Sequence, residues 1–423
     1  MAGRIRFFLN RVRERLWVRP LMSCILSLAG AFLAKMVDNT KIGQILPEIN
    51  PESIETLLAI IAASMLVIST FAVASMLSAY AAASTTATPR SFSLVVSDDV
   101  SQNALSTFTG AFIFSIVALV ALKNGYYEKA GHFALFALTI MVFALVILMF
   151  LRWVDRIARL GRLSTTIDKV EKATATAMQR RRYAPALGGA PVGMLQDSDQ
   201  AIYGISIGYV QRVDINALQT YAEETGIRII VTALPGTFSA PGRALAYLTS
   251  DSVVLSEVDS SQIAKAFQIG NDRTFDDDPR FGLIALSEIA SRALSPAVND
   301  PGTAIAIIGR FVRLFALWAE PIEEDDVQSI EYDRVEIPEI SLWDMFDDAF
   351  TAIARDGAGS VEVAVRLQKA FDSLASIGVT SLCDVAIHHA RLAFARAENA
   401  LVTPEDLEVL RKAAKFAYPV SQH

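Results

Sequence analysis

The chain has 423 residues, of which 52% are hydrophobic, and its mean hydropathy of +0.38 exceeds that of an ordinary soluble protein. Its formal net charge of -7, from 38 basic and 45 acidic side chains, argues against nucleic acid as a partner. Two cysteines, Cys24 and Cys383, and four histidines provide neither a disulfide framework nor the ligands of a metal cluster, so no cofactor is expected.

The hydrophobic excess lies before about residue 155, in apolar runs about as long as the hydrocarbon core of a bilayer is thick. We predict four transmembrane helices, at about 17–37, 54–83, 104–122 and 132–153, which make residues 1–153 a transmembrane domain. A signal peptide is the alternative for the first run. No A-x-A cleavage pattern follows it, however, and three further runs do.

The basic residues predict the orientation of these spans. Loops 37–53 and 123–131 carry only Lys41, Lys123 and Lys129. Arginines flank the other ends, before the first run and after the fourth: Arg4, Arg6, Arg11, Arg13, Arg15 and Arg19, then Arg152, Arg156, Arg159 and Arg162. By the positive-inside rule, both termini are cytoplasmic, and the chain is a multi-pass protein of a bacterial inner membrane.

The second run is rich in small and hydroxyl-bearing residues. Such residues allow close packing of helix backbones. Their hydroxyls could instead line a water-filled path between subunits, although no ring of charges marks a selectivity filter. On this second interpretation the candidate pore-lining residues are Ser64, Ser69, Thr70, Ser75 and Ser78.

Residues 154–182 continue the apolar spacing of three and four, which predicts a connecting stalk helix. A helix packed on its own domain is the alternative. Arg180, Arg181 and Arg182 end this segment, and we interpret them as a solvated or lipid-facing basic patch.

The remainder is predicted to be a cytoplasmic α+β domain, with a small β-rich subdomain at 183–260 and a mainly helical one at 261–423. Strand-type runs occupy 201–211, 227–233, 244–248 and 252–255. The segments Gly208-Tyr-Val-Gln211 and Pro235-Gly-Thr-Phe-Ser-Ala-Pro-Gly-Arg-Ala-Leu245 resemble half of a barrel-sandwich hybrid, which implies a small β-barrel-like element. No lysine stands at a hairpin tip, because Lys265 falls in a predicted helix, so covalent cofactor carriage is not implied.

The stretch FQIGNDRTFDDDPRFGLIALSEIASRALSPAVNDPGTA, residues 267–304, resembles the signature region of domain-of-unknown-function family 2254 (DUF2254), a family of predicted bacterial membrane proteins. The resemblance also covers the four spans and the two β-type segments above. It implies the architecture of the chain but brings no activity, substrate or catalytic residue.

Polar loops bracket the predicted helix of this region and form a candidate ligand or gating loop. Three adjacent carboxylates within it could bind a divalent cation, but helix capping and pairing with arginines is the alternative that we favour. Asp300-Pro301 predicts the capped start of the next helix. The candidate residues are Asp272, Arg273, Asp276, Asp277, Asp278, Arg292, Asn299 and Asp300.

No catalytic or phosphate-binding motif is found in the sequence, so an enzyme is not expected. His388-His389 offers too few ligands for a zinc site. Few spans, no inverted repeat and a large cytoplasmic part favour a homo-oligomeric channel or pore in the lipid bilayer, acting on ions or a small ligand and gated by its cytoplasmic domain. The alternative is a membrane-anchored sensor or scaffold. A membrane enzyme comes third and would need a cleft that unites Asp272, Asp276 and Glu288.

Overall fold

The computed structural model describes residues 17–39, 47–96, 98–193, 199–250, 258–323 and 329–418. The chain forms two compact units, Met1–Thr166 and Ile167–His423, here called the N-terminal and the C-terminal unit. The arginines before Arg19, the loop residue Lys41 and the predicted strand at 252–255 lie outside the described residues.

Long helices make up the N-terminal unit: α1 (Val18–Met36), α2 (Pro51–Thr86), α4 (Asp99–Lys123) and α5 (Lys129–Leu160), with a short α3 (Phe92–Val96) before α4. Two of them begin at side-chain caps. The Asn50 side chain accepts a hydrogen bond from the amide of Glu52 at the start of α2, and Asp98 accepts from the amide of Ser101 at the start of α4.

Helix α4 lies at the centre of this unit, because it packs against α1, α2 and α5. Gly110 allows α1 to approach closely: a Cβ atom there would lie 3.0 Å from the Cβ of Ser23. The Ser27 hydroxyl donates a 2.8 Å hydrogen bond to the Gly110 carbonyl at the same crossing. In the middle of the unit Phe108 of α4 packs edge-on against Trp153 of α5, with ring centroids 6.2 Å apart.

Five helices among the described residues are long and apolar enough to cross a membrane. Four of them coincide with the predicted spans, and the fifth is Pro301–Ala319 in the C-terminal unit. The prediction of a multi-span helical membrane protein is therefore confirmed, whereas the count of four spans is not.

The predicted stalk is divided into two helices. Helix α5 ends at Leu160, and α6 (Leu163–Tyr183) begins after Gly161 and Arg162. The amide of Arg162 donates to the carbonyl of Arg159 in a short-range turn, which interrupts the regular hydrogen-bond pattern of the helix.

The β-region contains two sheets. Strands β1 (Gly189–Ala190), β2 (Gln200–Tyr203), β4 (Arg228–Val231), β6 (Ala244–Thr249) and β8 (Tyr332–Glu336) form a mixed sheet in the order β1-β8-β4-β6-β2. Strands β3 (Gly208–Val213), β5 (Phe238–Ser239) and β7 (Phe267–Gly270) form an antiparallel sheet in the order β5-β3-β7. The predicted barrel-like element is not confirmed, because the described strands form these two sheets. Two helices belong to the same region of the chain: α7 (Ile215–Thr225) follows β3, and α8 (Ser260–Lys265) precedes β7.

The helical part of the C-terminal unit comprises α9 (Pro279–Ala293), α10 (Pro301–Ala319), α11 (Leu342–Asp356), α12 (Val361–Ala375), α13 (Thr380–Ala400) and α14 (Pro404–Ala413). Its core is aromatic: Phe315 of α10 lies 4.3 Å from Phe346 and 5.7 Å from Phe350 of α11, measured between ring centroids. Phe350 in turn contacts Phe371 of α12 at 4.8 Å. These rings bind three helices into one packed core.

His389 of α13 is buried against this aromatic core, and burial lowers its pKa to about 4 from an ordinary value of 6.5. The folded protein therefore binds a proton at His389 less readily than the unfolded chain does. The contribution of neutral His389 to stability is complete above pH 6.5 and is lost as the pH falls toward 4. We expect the midpoint of thermal unfolding to fall over this range in the wild type, and His389→Leu to weaken that dependence.

His388→Leu is the matched control, because His388 is exposed beside Trp343. We expect this variant to keep the acid dependence of the wild type when unfolding midpoints are measured in detergent from pH 7 to pH 4. Equal pH dependence in both variants would contradict the role assigned to His389.

Candidate functional site

The five candidate pore-lining residues do not share one face of α2. At about 100° per residue, Ser64, Ser75 and Ser78 fall within an arc of roughly 60°. Thr70 lies about 120° from Ser64 in one direction and Ser69 about 140° in the other. Ser64 and Ser78 are exposed in the single chain, and Ser75 is half-buried. The Thr70 hydroxyl donates to the carbonyl of Leu66 within its own helix.

A cavity of about 490 Å³ lies between the second half of α2 and the last turns of α5. Ser75 and Ser78 line it together with alanines of α2, and Ala158, Gly161 and Arg162 line it from the side of α5. Gly161 faces α2 across this cavity: a Cβ atom there would lie 3.7 Å from the Cβ of Ala82. The structure thus brings two of the five candidate hydroxyls to one concave surface.

A buried ion pair holds the same end of the N-terminal unit together. The side chain of Asp98 is 2% exposed, and Arg156 of α5 donates to its Oδ1 from Nε at 2.9 Å and from Nη2. The other oxygen, Oδ2, accepts from the Ser101 hydroxyl at 2.9 Å and from the Ser101 amide at 3.2 Å. Asp98 is therefore a buried and paired carboxylate at the start of α4, and the sequence analysis did not identify it as a candidate residue.

Ion pairs also close both ends of the apolar helices. At the end that bears Asp98, Arg19 of α1 pairs with Asp99 and donates to the side-chain oxygen of Asn103 at 2.8 Å. At the opposite end, Lys35 lies 3.3 Å from the Asp38 carboxylate, and Lys123 lies 2.6 Å from that of Glu55. These charges delimit the apolar length of the unit, because Arg19 and Lys35 are separated by about 24 Å along α1.

Several polar atoms are buried inside the unit without a hydrogen-bond partner among the described residues. They lie on three of the long helices: the Ser69 hydroxyl and Tyr80 Oη on α2, the Ser115 hydroxyl and Gln102 Oε1 on α4, and Trp153 Nε1 on α5. In hydrocarbon such groups are costly unless water or another chain reaches them. These buried polar atoms are thus spread over α2, α4 and α5, and among the five candidate pore-lining residues only Ser69 contributes one.

In the C-terminal unit, the predicted ligand loop is divided between the two ends of α9. At its N-terminus Asp278 caps the helix and is paired with Arg273 through two contacts, 2.7 and 2.9 Å long. Burial raises the pKa of Asp278, and the guanidinium of Arg273 opposes that change. Gly236 packs directly on this pair: a Cβ atom there would lie 2.3 Å from Asp278 Oδ2.

The neighbouring loop residues also make structural contacts. Arg180 of α6 donates to the carbonyl of Asp276 at 3.0 Å and lies 3.9 Å from the carboxylate of Asp277. The carbonyl of Asp272 accepts a 2.7 Å hydrogen bond from the Gln211 side chain. The Asp278 cap and its pair with Arg273 are the capping and pairing that the sequence analysis favoured over a cation site, whereas Arg180 and Gln211 are partners that it did not name.

The remaining loop residues lie at the other end of α9, about 21 Å along the helix from Asp278. Arg292 is exposed in the last turn, and Asn299 has a left-handed backbone with φ of 49°. Asp300 caps α10 by accepting from the Thr303 amide at 3.1 Å and from its hydroxyl at 2.5 Å, which lowers the pKa of Asp300. The predicted capped start at Asp300-Pro301 is confirmed, and the loop is not a single site.

The interpretation of the arginine run as a solvated patch is wrong for two of its three members. Arg181 and Arg182 are 3% and 7% exposed. Arg181 Nη2 donates to the carbonyl of Pro338, and burial lowers the pKa of Arg181 to about 10. Arg182 donates to the carbonyl of Glu320 at 2.5 Å. Both side chains are buried because their hydrogen-bond acceptors are carbonyls far away in the sequence. A run of arginines alone does not indicate such partners.

Within the described ranges, no group of three or more histidine, cysteine, aspartate or glutamate side chains is placed to hold a metal ion. Arg180 contacts the carbonyl of Asp276 and the carboxylate of Asp277, whereas the carboxylate of Asp278 pairs with Arg273. Glu288 lies in the interior of α9.

Residues 13–373 match the profile of a family described as predicted membrane protein, DUF2254. The chain belongs to this DUF2254 family. Uncharacterized proteins of Mycobacterium tuberculosis and Mycobacterium bovis are 23% identical to it over 348 positions, covering 78% of this chain and 65% of the relative. The chain thus spans just under two thirds of the length of these relatives. No solved structure matches it.

For this DUF2254 protein, the Asp98–Arg156 pair predicts a specific loss of stability. Asp98→Asn removes a buried charge and leaves Arg156 without its carboxylate, which we expect to cost on the order of 2 kcal/mol. Asp99→Asn is the matched control one residue away, since the Asp99 side chain is 62% exposed and its pair with Arg19 contributes at most about 1 kcal/mol. Unfolding midpoints of the full chain in detergent measure the difference. Equal losses in the two variants would contradict the structural role of the Asp98 pair.

Proposed function

We propose that the protein is a homo-oligomeric channel or pore of a bacterial inner membrane, with the α2 helices of its copies around the axis. The observation that supports this most is the face of α2 bearing Ser64, Ser75 and Ser78, which the other helices of the same chain leave uncovered or half-covered. A hydroxyl-bearing face suits contact with water or with another copy better than contact with hydrocarbon. In this proposal the C-terminal unit is the cytoplasmic assembly and gating module, and the transported species are ions or a small ligand.

We propose further that four helices, α1, α2, α4 and α5, cross the bilayer and that α10 does not. Helix α10 carries Arg310 at its centre, and Arg310 Nη1 lies 2.7 Å from the Asp168 carboxylate. Arg313, one turn later, lies 2.7 Å from the carboxylate of Glu171. Two arginines near the middle of a span would each cost about 2.5 kcal/mol or more. The apolar side of α10 has an alternative to lipid, because it packs on the aromatic rings of α11.

The proposed orientation places both termini in the cytoplasm. One end of the unit carries Arg19, three arginines near the end of α5 and one just after it, which are Arg152, Arg156, Arg159 and Arg162. The other end carries Lys35, Lys123 and Lys129. Arginines near the ends of spans favour retention on the cytoplasmic side.

A membrane-anchored sensor or scaffold is the second candidate, and a surface of the C-terminal unit favours it. Large apolar side chains are exposed at the end of β2, between β2 and β3, and on β5: Tyr203, Ile205, Ile207 and Phe238. Ile205 is 70% exposed. An apolar patch of this kind is typical of a binding surface for a partner protein. This hypothesis predicts no ion flux and a loss of partner binding in Ile205→Ser.

The proposed pore makes a prediction about the faces of α2. In full-length protein with Cys24 and Cys383 replaced by serine, cysteines introduced at Ser64, Ser75 or Ser78 should allow a charged thiol reagent to reduce ion flux into liposomes. Thr70→Cys is the matched control, because it lies on the same helix but about 120° away from Ser64.

Equal sensitivity at Thr70 and Ser75 would contradict the assigned pore-lining face. A bilayer that stays silent across voltage, membrane tension and pH would contradict conduction altogether and favour the sensor hypothesis.

A further inference from the structure

The lining and the length of the cavity between α2 and α5 suit a lipid ligand. Its walls are small or apolar on both helices, and its residues on α2, from Ala74 to Ala82, extend over about 12 Å. That depth corresponds to the polar interface of one leaflet together with the first methylenes of the acyl chains. Its volume of about 490 Å³ lies within the range of ligand-binding pockets.

Arg162 gives this cavity a positive charge at one end. Its side chain is exposed and lines the cavity, and among the described residues no carboxylate lies within ion-pair distance of it. The acidic side chains at this end of the unit have other partners. Asp98 is paired with Arg156, Asp99 with Arg19, and Asp155 with Arg159. The cation is therefore available to a negatively charged ligand that enters from the membrane.

We propose that the cavity binds one anionic phospholipid, with its phosphate on Arg162 and its glycerol and upper acyl chains between α2 and α5. Ser75 and Ser78 lie along the same wall and can donate hydrogen bonds to the glycerol ester oxygens. This lipid site does not rest on the proposed pore and competes with it for these two hydroxyls, because a lipid that covers them leaves Ser64 as the hydroxyl of that face that can line a water-filled path. Basic pockets between transmembrane helices are suited to such headgroups, because the protein supplies the charge and the bilayer supplies the ligand at high local concentration.

Charge favours a lipid over a helix from a second copy of the chain. The same end of an identical copy carries Arg152 on α5 and Arg162 just after α5, while Arg156 and Arg159 are paired with Asp98 and Asp155. A second copy at the same depth would thus bring like charges toward Arg162, whereas a phosphodiester neutralises it.

The test is native mass spectrometry of the full chain in detergent, titrated with phosphatidylglycerol or with phosphatidylcholine of the same acyl chains. We expect the wild type to bind phosphatidylglycerol more tightly than phosphatidylcholine. Arg162→Gln should weaken the binding of phosphatidylglycerol about tenfold or more, because a charge-assisted hydrogen bond is lost. Arg152→Gln is the matched control: Arg152 is exposed on the same helix but does not line the cavity. Ala158→Leu, which fills the cavity from α5, should weaken the binding of both lipids.

Three results would overturn the proposal. Equal loss in Arg162→Gln and Arg152→Gln would mean that the arginines attract lipid without a defined site. Competition by glycerol phosphate as strong as that by the intact lipid would assign the site to a soluble phosphate compound. Loss of a dimer or larger assembly in Ala158→Leu, with lipid binding unchanged, would assign the cavity to a second copy.

Discussion

The constraint on which this structure depends is the absence of hydrogen-bonding solvent around the apolar helices of the N-terminal unit. Because hydrocarbon cannot hydrogen-bond polar groups, the charges lie at the helix ends and are paired there, Arg19 with Asp99 and Lys35 with Asp38. Inside the unit, several buried polar side chains lie on α4, the central helix, such as Ser101, Gln102 and Ser115. The same constraint explains the Asp98–Arg156 pair. The Asp98 side chain is only 2% exposed, and a buried carboxylate is costly unless a cation such as the Arg156 guanidinium pairs with it.

The C-terminal unit is stabilised by different interactions. Its helices are held by stacked phenylalanines and by arginines that reach across the sequence, such as Arg280, which lies 2.6 Å from the Asp348 carboxylate. Arg310 and Arg313 meet Glu171 in the same way. These ion pairs explain why a helix as apolar as α10 can belong to this unit: its charged side is satisfied by α6, and its apolar side is covered by aromatic rings.

The sequence predicted the parts of the fold that depend on local pattern. Apolar length indicated four of the candidate membrane helices, and Asp-Pro pairs indicated the starts of α9 and α10. Parts that depend on distant partners were missed. Strand β8 is five residues long beside an acidic stretch, and it joins β4, about 100 residues away, in parallel. Arg181 and Arg182 appeared solvated because their acceptors, the carbonyls of Pro338 and Glu320, are not visible in a run of arginines. For the same reason the buried role of Asp98 could not be distinguished from that of Asp99.

The central claim is that α1, α2, α4 and α5 cross the bilayer and that α10 does not. Labelling of single cysteines in intact cells with a membrane-impermeant reagent tests it most directly, with positions at Asn124, between α4 and α5, and at Val298 and Glu320, on either side of α10. The account predicts labelling at Asn124 from outside and protection at both Val298 and Glu320 until the cells are permeabilised. Labelling of only one of the two positions that flank α10 would show that this helix crosses the membrane and would contradict the account.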